Sequence, residues 1–170
     1  MINAKQLPDI SILNHIFDYD SESGVIYWKN PTSKRVRPGS EAGTLHKPSG
    51  RLQVQISGSI YKVSRIAFYM HHGRQPEGVV DHIDHDTLNN RADNLRDATM
   101  SQNGMNKSMQ SNNTSGYKGV SFHVGRGEFI AYAKIDGKMV FGGWHKSAID
   151  AAQSAANLRE KLHGEFVYHG

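Results

Sequence analysis

The chain has 170 residues with 20 Lys+Arg against 16 Asp+Glu, a formal charge of +4, which points to a polyanionic partner although the same excess occurs in proteins without one. There is no cysteine, so disulfides and thiolate metal sites are excluded. The longest purely apolar run, Ile66 to Met70, is far too short for a membrane span, and MINAKQLPDI has no apolar signal core, so a soluble, intracellular protein is expected.

Hydrophobic content of 37% is low for one large core, and two small cores are expected. Pro8 to Phe17 carries Ile10, Leu13, Ile16 and Phe17 at helical spacing and reads as a short packing helix. Tyr19-Asp20 through Gly24 reads as a turn and Val25 to Trp28 as a strand. From Lys29 to Arg74 there are nine basic residues against the single acid Glu41. Lys29 to Lys47 lacks periodicity and holds Pro31, Pro38, Gly39 and Gly43, so it reads as a basic loop. That loop is either a solvated charge run or a surface for backbone phosphates, with Arg35, Arg37 and Arg51 as the DNA-binding candidates. Leu52, Val54 and Ile56 alternate with polar residues before Ser57-Gly58-Ser59 and Ile60 to Val63, which predicts a β-hairpin. Ser64 is placed to cap a helix over Arg65 to His72, stopped by Gly73.

The stretch from Val80 to Asn106 inverts the charge of the chain. Six acids lie between Glu77 and Asp97 against two arginines, and a bound cation is one reason for such an inversion. Val79 and Val80 read as a strand delivering Asp81 and His82, His85 to Asn90 as a long turn, and Asn94-Leu95 as the start of a return path. Thr99 with Gln102 has the form of a capping box, which puts Asn103 in the first turns of a helix. These elements can gather Asp81, His82 and Asn103 at one point, with Asn94 tying the loop closed. Asp81 and Asn103 offer hard oxygen ligands for one magnesium or manganese ion, and His82 can take a proton from water near neutral pH. A calcium loop at Asp84-His85-Asp86 lacks the needed Gly and Glu. A zinc site from His71, His72, His82 and His85 would be unusual without cysteine. Asn89 and Asn90 read as turn residues without a role.

These residues carry a resemblance. The chain resembles HNH endonucleases of the phage and intron-homing kind, on Asp81-His82, on Asn94 twelve positions after His82, and on Asn103 nine after Asn94. The resemblance implies a ββα-metal nuclease in which the first position is Asp-His, the middle Asn is structural and the third position is Asn. It implies products with 5′-phosphate and 3′-hydroxyl ends, and work in the cytoplasm of a phage-infected bacterial host. In related phage nucleases the preceding helix often opens His-Arg. Here it opens Ser64-Arg65, leaving Arg65 as a phosphate clamp.

Lys107 to Ser115 is polar and aperiodic and reads as a linker. Beyond it, Tyr117 to His123, Glu128 to Asp136 and Lys138 to His145 read as three strands, the last two joined by an Asp136-Gly137 hairpin turn. Ser147 with Asp150 caps a helix that Gly164 ends. This tail resembles the ethylene-response-factor (APETALA) type of DNA-binding domain, on Tyr117-Lys118-Gly119-Val120, Phe129 to Lys134 and Phe141 to Trp144. The resemblance puts Lys118, Lys134 and Phe141 at DNA-contact positions, while Ser121 stands where that family usually has a base-reading Arg. Arg126 is a further candidate by charge, and Trp144 reads as core rather than contact.

The expected architecture is α+β: an HNH nuclease domain at 1–106, a linker at 107–115 and a DNA-binding sheet packed on one helix at 116–170. The expected activity is site-recognising, divalent-metal-dependent hydrolysis of double-stranded DNA by a monomer that nicks one strand. The other reading is a DNA-binding regulator whose HNH part is inactive.

Overall fold

The computed structural model of the chain describes residues 5–107, 109 and 112–167. Ser108, Gln110 and Ser111 of the expected linker, and 168–170 of the expected tail domain, lie outside the described residues. The described chain is mixed α and β, with four helices and four small antiparallel sheets. It divides by packing into two compact units, the first ending at Thr99 and the second beginning at Met100.

In the first unit, α1 (Ile10–Ile16) starts at Asp9, whose side chain accepts from the Ser11 amide. It runs directly into a hairpin of β1 (Phe17–Asp20) and β2 (Val25–Trp28), so Tyr19-Asp20, expected in a turn, ends a strand. A three-stranded sheet follows, β3 (Thr44–His46), β4 (Arg51–Ile56) and β5 (Ser59–Lys62), with β4 in the middle. β3 lies inside the stretch expected as loop, because Thr44–His46 pairs with Arg51–Gln53. The helix α2 (Val63–His72) follows β5 with no intervening loop. Lys62 is therefore its N-cap, without a side-chain cap bond, and Ser64, expected as the cap, is buried in the first turn instead. Gly73 ends α2 in the left-handed region, φ +67°, as a C-terminal stop requires.

α2 is the centre of the first core. Its Val63, Ile66, Ala67 and Phe68 pack with Leu13, Phe17, Ile26, Val54, Val80 and Leu95 from the surrounding elements. The last two belong to a hairpin of β6 (Val79–His82) and β7 (Leu95–Ala98), paired in a register that sets Asp81 opposite Arg96 and His82 opposite Leu95. Alternation along β6 therefore anchors Val80 in the core.

The second unit begins with α3 (Met100–Met105). The residues leading into the sheet are tied by side chains: Asn113 Oδ1 accepts from the Ser115 and Gly116 amides, and Ser115 Oγ donates to the Val120 carbonyl. Strands β8 (Val120–His123), β9 (Glu128–Ile135) and β10 (Lys138–His145) form one antiparallel sheet with β9 central. Asp136 and Gly137 both have positive φ, as a two-residue hairpin of this hand needs. α4 (Ala148–His163), capped by Ser147 accepting from the Asp150 amide, lies across all three strands. Ala151 and Ala155 meet Val120 and Ala131 in a second, smaller core.

Ile66 is fully buried, and Ile66→Ala is expected to cost the first unit about 2–5 kcal/mol in transfer and cavity terms. Urea unfolding of both proteins measures it.

Candidate active site

The β6–β7 hairpin is closed by a loop whose geometry is set almost entirely by its own side chains. Asn94, at the end of a 3₁₀ turn (Ala92–Asn94), accepts from the Asp84 amide at 3.0 Å and donates to Asp84 Oδ1 at 2.9 Å and to the Asn89 carbonyl at 2.8 Å. Asn89 in turn donates to Asp84 Oδ2 at 2.6 Å. Burial alone would raise the Asp84 carboxyl, but the Asn89 and Asn94 hydrogen bonds outweigh it and hold the group below its ordinary value. With both its oxygens taken within the loop, Asp84 acts as an internal strut rather than the start of a calcium loop.

The first hairpin braces this loop from outside. Tyr19 donates its hydroxyl to the Asn90 carbonyl at 2.7 Å, and burial, with Asp20 and Asp93 adding to it, pushes that phenol up to about 12. It stays a donor at any physiological pH. Gly24, at φ +77°, sits so close to the Asn90–Arg91 backbone that a Cβ would collide with it.

This bracing delivers Asn90 to His82. The imidazole is 2% exposed and Asn90 1%, and Nε2 of His82 lies 3.1 Å from Asn90 Oδ1. The Asn90 amide nitrogen donates to the Leu88 carbonyl, which fixes the amide orientation, so the imidazole must carry its proton on Nε2. Nδ1 is then the lone-pair nitrogen, and Arg51 Nη1 donates toward it at 3.2 Å. Burial, reinforced by Arg51 and partly offset by the Asn90 bond and the Asp84 and Asp81 charges, lowers the His82 value. The ring is neutral with its acceptor nitrogen turned to Arg51. Beside it, Asp81 is buried and its Oδ2 pairs with Arg96 at 2.9 Å, a consequence of their facing positions across the two strands.

The other expected residues are placed as follows. Arg65 is half-buried and donates to the Gly78 carbonyl at 3.1 Å, joining α2 to the start of β6. Arg35 and Arg37 are exposed and border an open cavity of about 890 Å³ against Gln53 and Gln55. Arg51 also stands at the edge of the His82 site. Asn103 stands on α3, which packs in the second unit. Among the described residues no group of three or more His, Asp or Glu could hold a metal, so the four-histidine zinc reading gains nothing from the structure. Asp81, expected as a metal ligand, lies in the first unit and Asn103, its expected co-ligand, in the second; a carboxylate and an amide oxygen are each hard donors of the kind magnesium and manganese take. Asn90, Arg51 as a neighbour of His82, and Arg96 were not legible as site residues: Asn90 looked like a turn asparagine, and Arg96 becomes a partner only through the β6–β7 register.

In the second unit, Ala131 and Ala133 are buried against α4, so alternation turns Ile130, Tyr132 and Lys134 to the opposite, open face. Phe141 pairs with Tyr132 and Trp144 with Ile130 across a β-bulge between Phe141 and Gly143. The bulge corrects the expectation for Trp144. Without the extra residue, strict alternation from Phe141 would turn Trp144 onto the helix; with it, both rings share the open face. Phe141 is 56% exposed, its centroid is 5.8 Å from that of Trp144, and the Arg126 guanidinium lies over Trp144 at 4.6 Å. Lys118 departs from its expected place on a DNA-facing surface. Its Nζ donates to the Met105 and Lys107 carbonyls at 3.1 and 2.7 Å, because it precedes β8 in the turn that packs against the end of α3.

A family model described as HNH endonuclease matches residues 61–105, from β5 through α3. Protein 3.8 of Escherichia phage T7 is 32% identical over 96 residues, covering 56% of this chain and 78% of that protein. The chain belongs to the HNH family. Membership implies a nuclease-type function with DNA as substrate, and HNH nucleases commonly use a divalent metal. No solved structure matches the chain. Among the described residues, no helix is long and apolar enough to cross a membrane. The HNH match contains Asp81, His82, Asn90, Asn94 and Asn103, whereas Arg51 and the sheet of the second unit lie beyond it.

Two outcomes follow from the loop geometry of this HNH domain. Asn94→Ala removes three hydrogen bonds and should cost about 1–3 kcal/mol, with hydrogen exchange accelerated from Ile83 to Arg91. Because the folded-state value of His82 is depressed, the folded protein binds fewer protons than the unfolded chain as pH falls below about 6.5. Stability is therefore full above that pH and declines below it, and His82→Gln should flatten part of the decline in urea titrations run from pH 7.5 to 5.

Proposed function

We propose that the protein is an active, divalent-metal-dependent DNA endonuclease that hydrolyses one phosphodiester bond per site, in the cytoplasm of a phage-infected host. The observation that carries this reading is the His82 ring: buried, neutral, its Nε2 proton anchored on Asn90 and its Nδ1 lone pair turned toward a guanidinium. In this proposal Nδ1 takes a proton from water, whose oxygen attacks phosphorus as the bond to the 3′ oxygen breaks, and the departing 3′ oxygen takes up a proton from solvent water. The products are a 5′-phosphate and a 3′-hydroxyl. A magnesium or manganese ion held by Asp81 and Asn103 would neutralise charge on the scissile phosphate and the departing oxygen. Asn94 keeps the loop closed, and Arg65, Arg35, Arg37 and Arg51 are proposed to follow the DNA backbone.

The nuclease module is proposed to run to residue 106 as a ββα-metal arrangement of β6, β7 and α3. The APETALA-like sheet beyond the linker would then contact double-stranded DNA. Supporting this, Arg126, Lys134, Phe141 and Trp144 share one open face, and rings beside cations suit groove and phosphate contacts. Lys118, turned to backbone carbonyls, is not among the proposed contacts. One Asp81-His82…Asn94…Asn103 set addresses one phosphate at a time, so a monomer would nick rather than break both strands.

A single observation favours the other reading, a DNA-binding regulator with an inactive HNH domain. The Arg96 guanidinium engages the Asp81 carboxylate and competes for it with a cation.

Supercoiled plasmid with magnesium separates the two. The active reading expects open circles with one strand cut, about 10²–10⁴-fold slower in His82→Ala with DNA binding retained, and no cutting in EDTA. Absence of cleavage in magnesium or manganese by protein that still binds the plasmid would favour the regulator. In the same system Lys134→Ala, if that side chain meets phosphate, should lower the log–log salt slope of binding by about 0.9.

A further inference from the structure

The second unit contains a cavity of about 410 Å³ to which neither DNA cleavage nor the open sheet face assigns a role. Its lining includes Lys118, Lys134, Arg159 and His163 and no Asp or Glu. Arg159 is 4% exposed and His163 7%. Each has one hydrogen bond: Arg159 Nη1 donates to the Lys118 carbonyl at 2.6 Å, and His163 Nε2 donates to the Lys134 carbonyl at 2.9 Å. Arg159 Nε and His163 Nδ1 are buried with no hydrogen-bond partner in the described structure. Arg159 also enters no ion pair among the described residues.

That arrangement is costly unless something completes it. A buried guanidinium without a counter-charge, and a buried polar atom without a partner, are the states that folded proteins most consistently avoid. Burial, with Arg159 adding to it, pushes Lys118 down to about 8. Burial also lowers His163, against the Lys134 hydrogen bond and with Lys118 and Arg159 contributing. One Nη1 bond to a carbonyl explains the direction of the Arg159 side chain, and the carboxylate that acts on it, Glu160, is not among the residues lining the cavity.

An oxyanion suits both unpartnered atoms. Arg159 Nε is a donor, and His163 Nδ1 either donates when protonated or accepts from an acidic hydroxyl. A monoester phosphate presents both kinds of partner and a charge near −2 to a pocket lined by Arg159 and Lys118 and by no acid. The volume admits more than the phosphate itself, and lies in the range of small-molecule sites. We propose that this cavity binds a phosphate monoester. Free nucleoside monophosphate and the 5′-phosphate end of a DNA strand carry that same group. The proposal stands whether or not the first unit cleaves DNA.

The test uses the full chain at constant ionic strength, adding inorganic phosphate, a deoxynucleoside 5′-monophosphate, or a duplex with either 5′-phosphate or 5′-hydroxyl ends. Calorimetry and the His163 ring signals in NMR report binding. Phosphate and the mononucleotide should bind and shift the His163 signals, with chloride producing neither effect. His163→Leu, which removes the pocket nitrogen without touching the Arg159–Lys118 contact, should weaken mononucleotide binding about tenfold or more. Lys146→Met, an exposed change away from the pocket, should not. Tighter binding of the 5′-phosphorylated duplex than of its 5′-hydroxyl counterpart would identify the source as a DNA end, and preference for the mononucleotide alone would identify a small molecule. Absence of any heat or His163 shift with phosphate and mononucleotide in folded wild-type protein would overturn the proposal, as would equal affinity in folded His163→Leu.

Discussion

The three hydrogen bonds of Asn94 hold the rest of the site in place. A loop running from Ile83 to Arg91 between two short strands has few apolar contacts to order it, and loss of conformational freedom costs about 1–2 kcal/mol per residue. Here that cost is offset by polar groups bonding to one another: Asn94 to Asp84 and Asn89, and Asn89 to Asp84. Once the loop is closed, Asn90 has a single place to stand, with Tyr19 on its carbonyl and Leu88 on its amide nitrogen. The tautomer of His82 follows from that, so a structural asparagine acts on the proposed chemistry through a second asparagine that touches the imidazole.

Burial decides the protonation state. The imidazole has a cation on one side and an amide oxygen on the other: burial and the Arg51 charge favour the uncharged ring against the Asn90 bond, and that bond holds the proton on Nε2 and leaves the lone pair on Nδ1. The neighbouring Asp81 is treated differently by the same hairpin, since its cross-strand partner is Arg96. Two adjacent residues on β6 thus acquire opposite characters, one a neutral imidazole and one a paired carboxylate. Which role dominates, proposed metal ligand or ion-pair partner, separates a cutting from a non-cutting HNH domain.

Much of this was legible in the sequence because it depends on local chemistry. The spacing of Asp81-His82, Asn94 and Asn103 announced a strand, a closed loop and a helix, and β4–β5, α2 and the Ser147-capped α4 follow from period and capping. What was not legible depends on pairing between distant residues. Arg51 reaches His82 from a different sheet, Arg96 is set by register, and Asn90 differs from any turn asparagine only through the Tyr19 and Gly24 brace. Trp144 reads as core by alternation, and one inserted residue at a bulge reverses its face. Ser64 fails as a cap because the helix already begins at Val63, so the extended capping position falls on Lys62 and Ser64 lies inside the first turn. Lys118 looked like a surface lysine because nothing in its neighbours reveals that the end of α3 lies beside it.

The surroundings of His82 fix a neutral imidazole with its proton on Nε2, and long-range ¹H–¹⁵N NMR of ring-labelled protein at pH 7 reads out that proton. The expected result is a neutral imidazole protonated at Nε2, with Nδ1 as the acceptor, and a shift toward mixed tautomers in Asn90→Leu. A wild-type ring protonated on Nδ1, or an imidazolium at that pH, would contradict it.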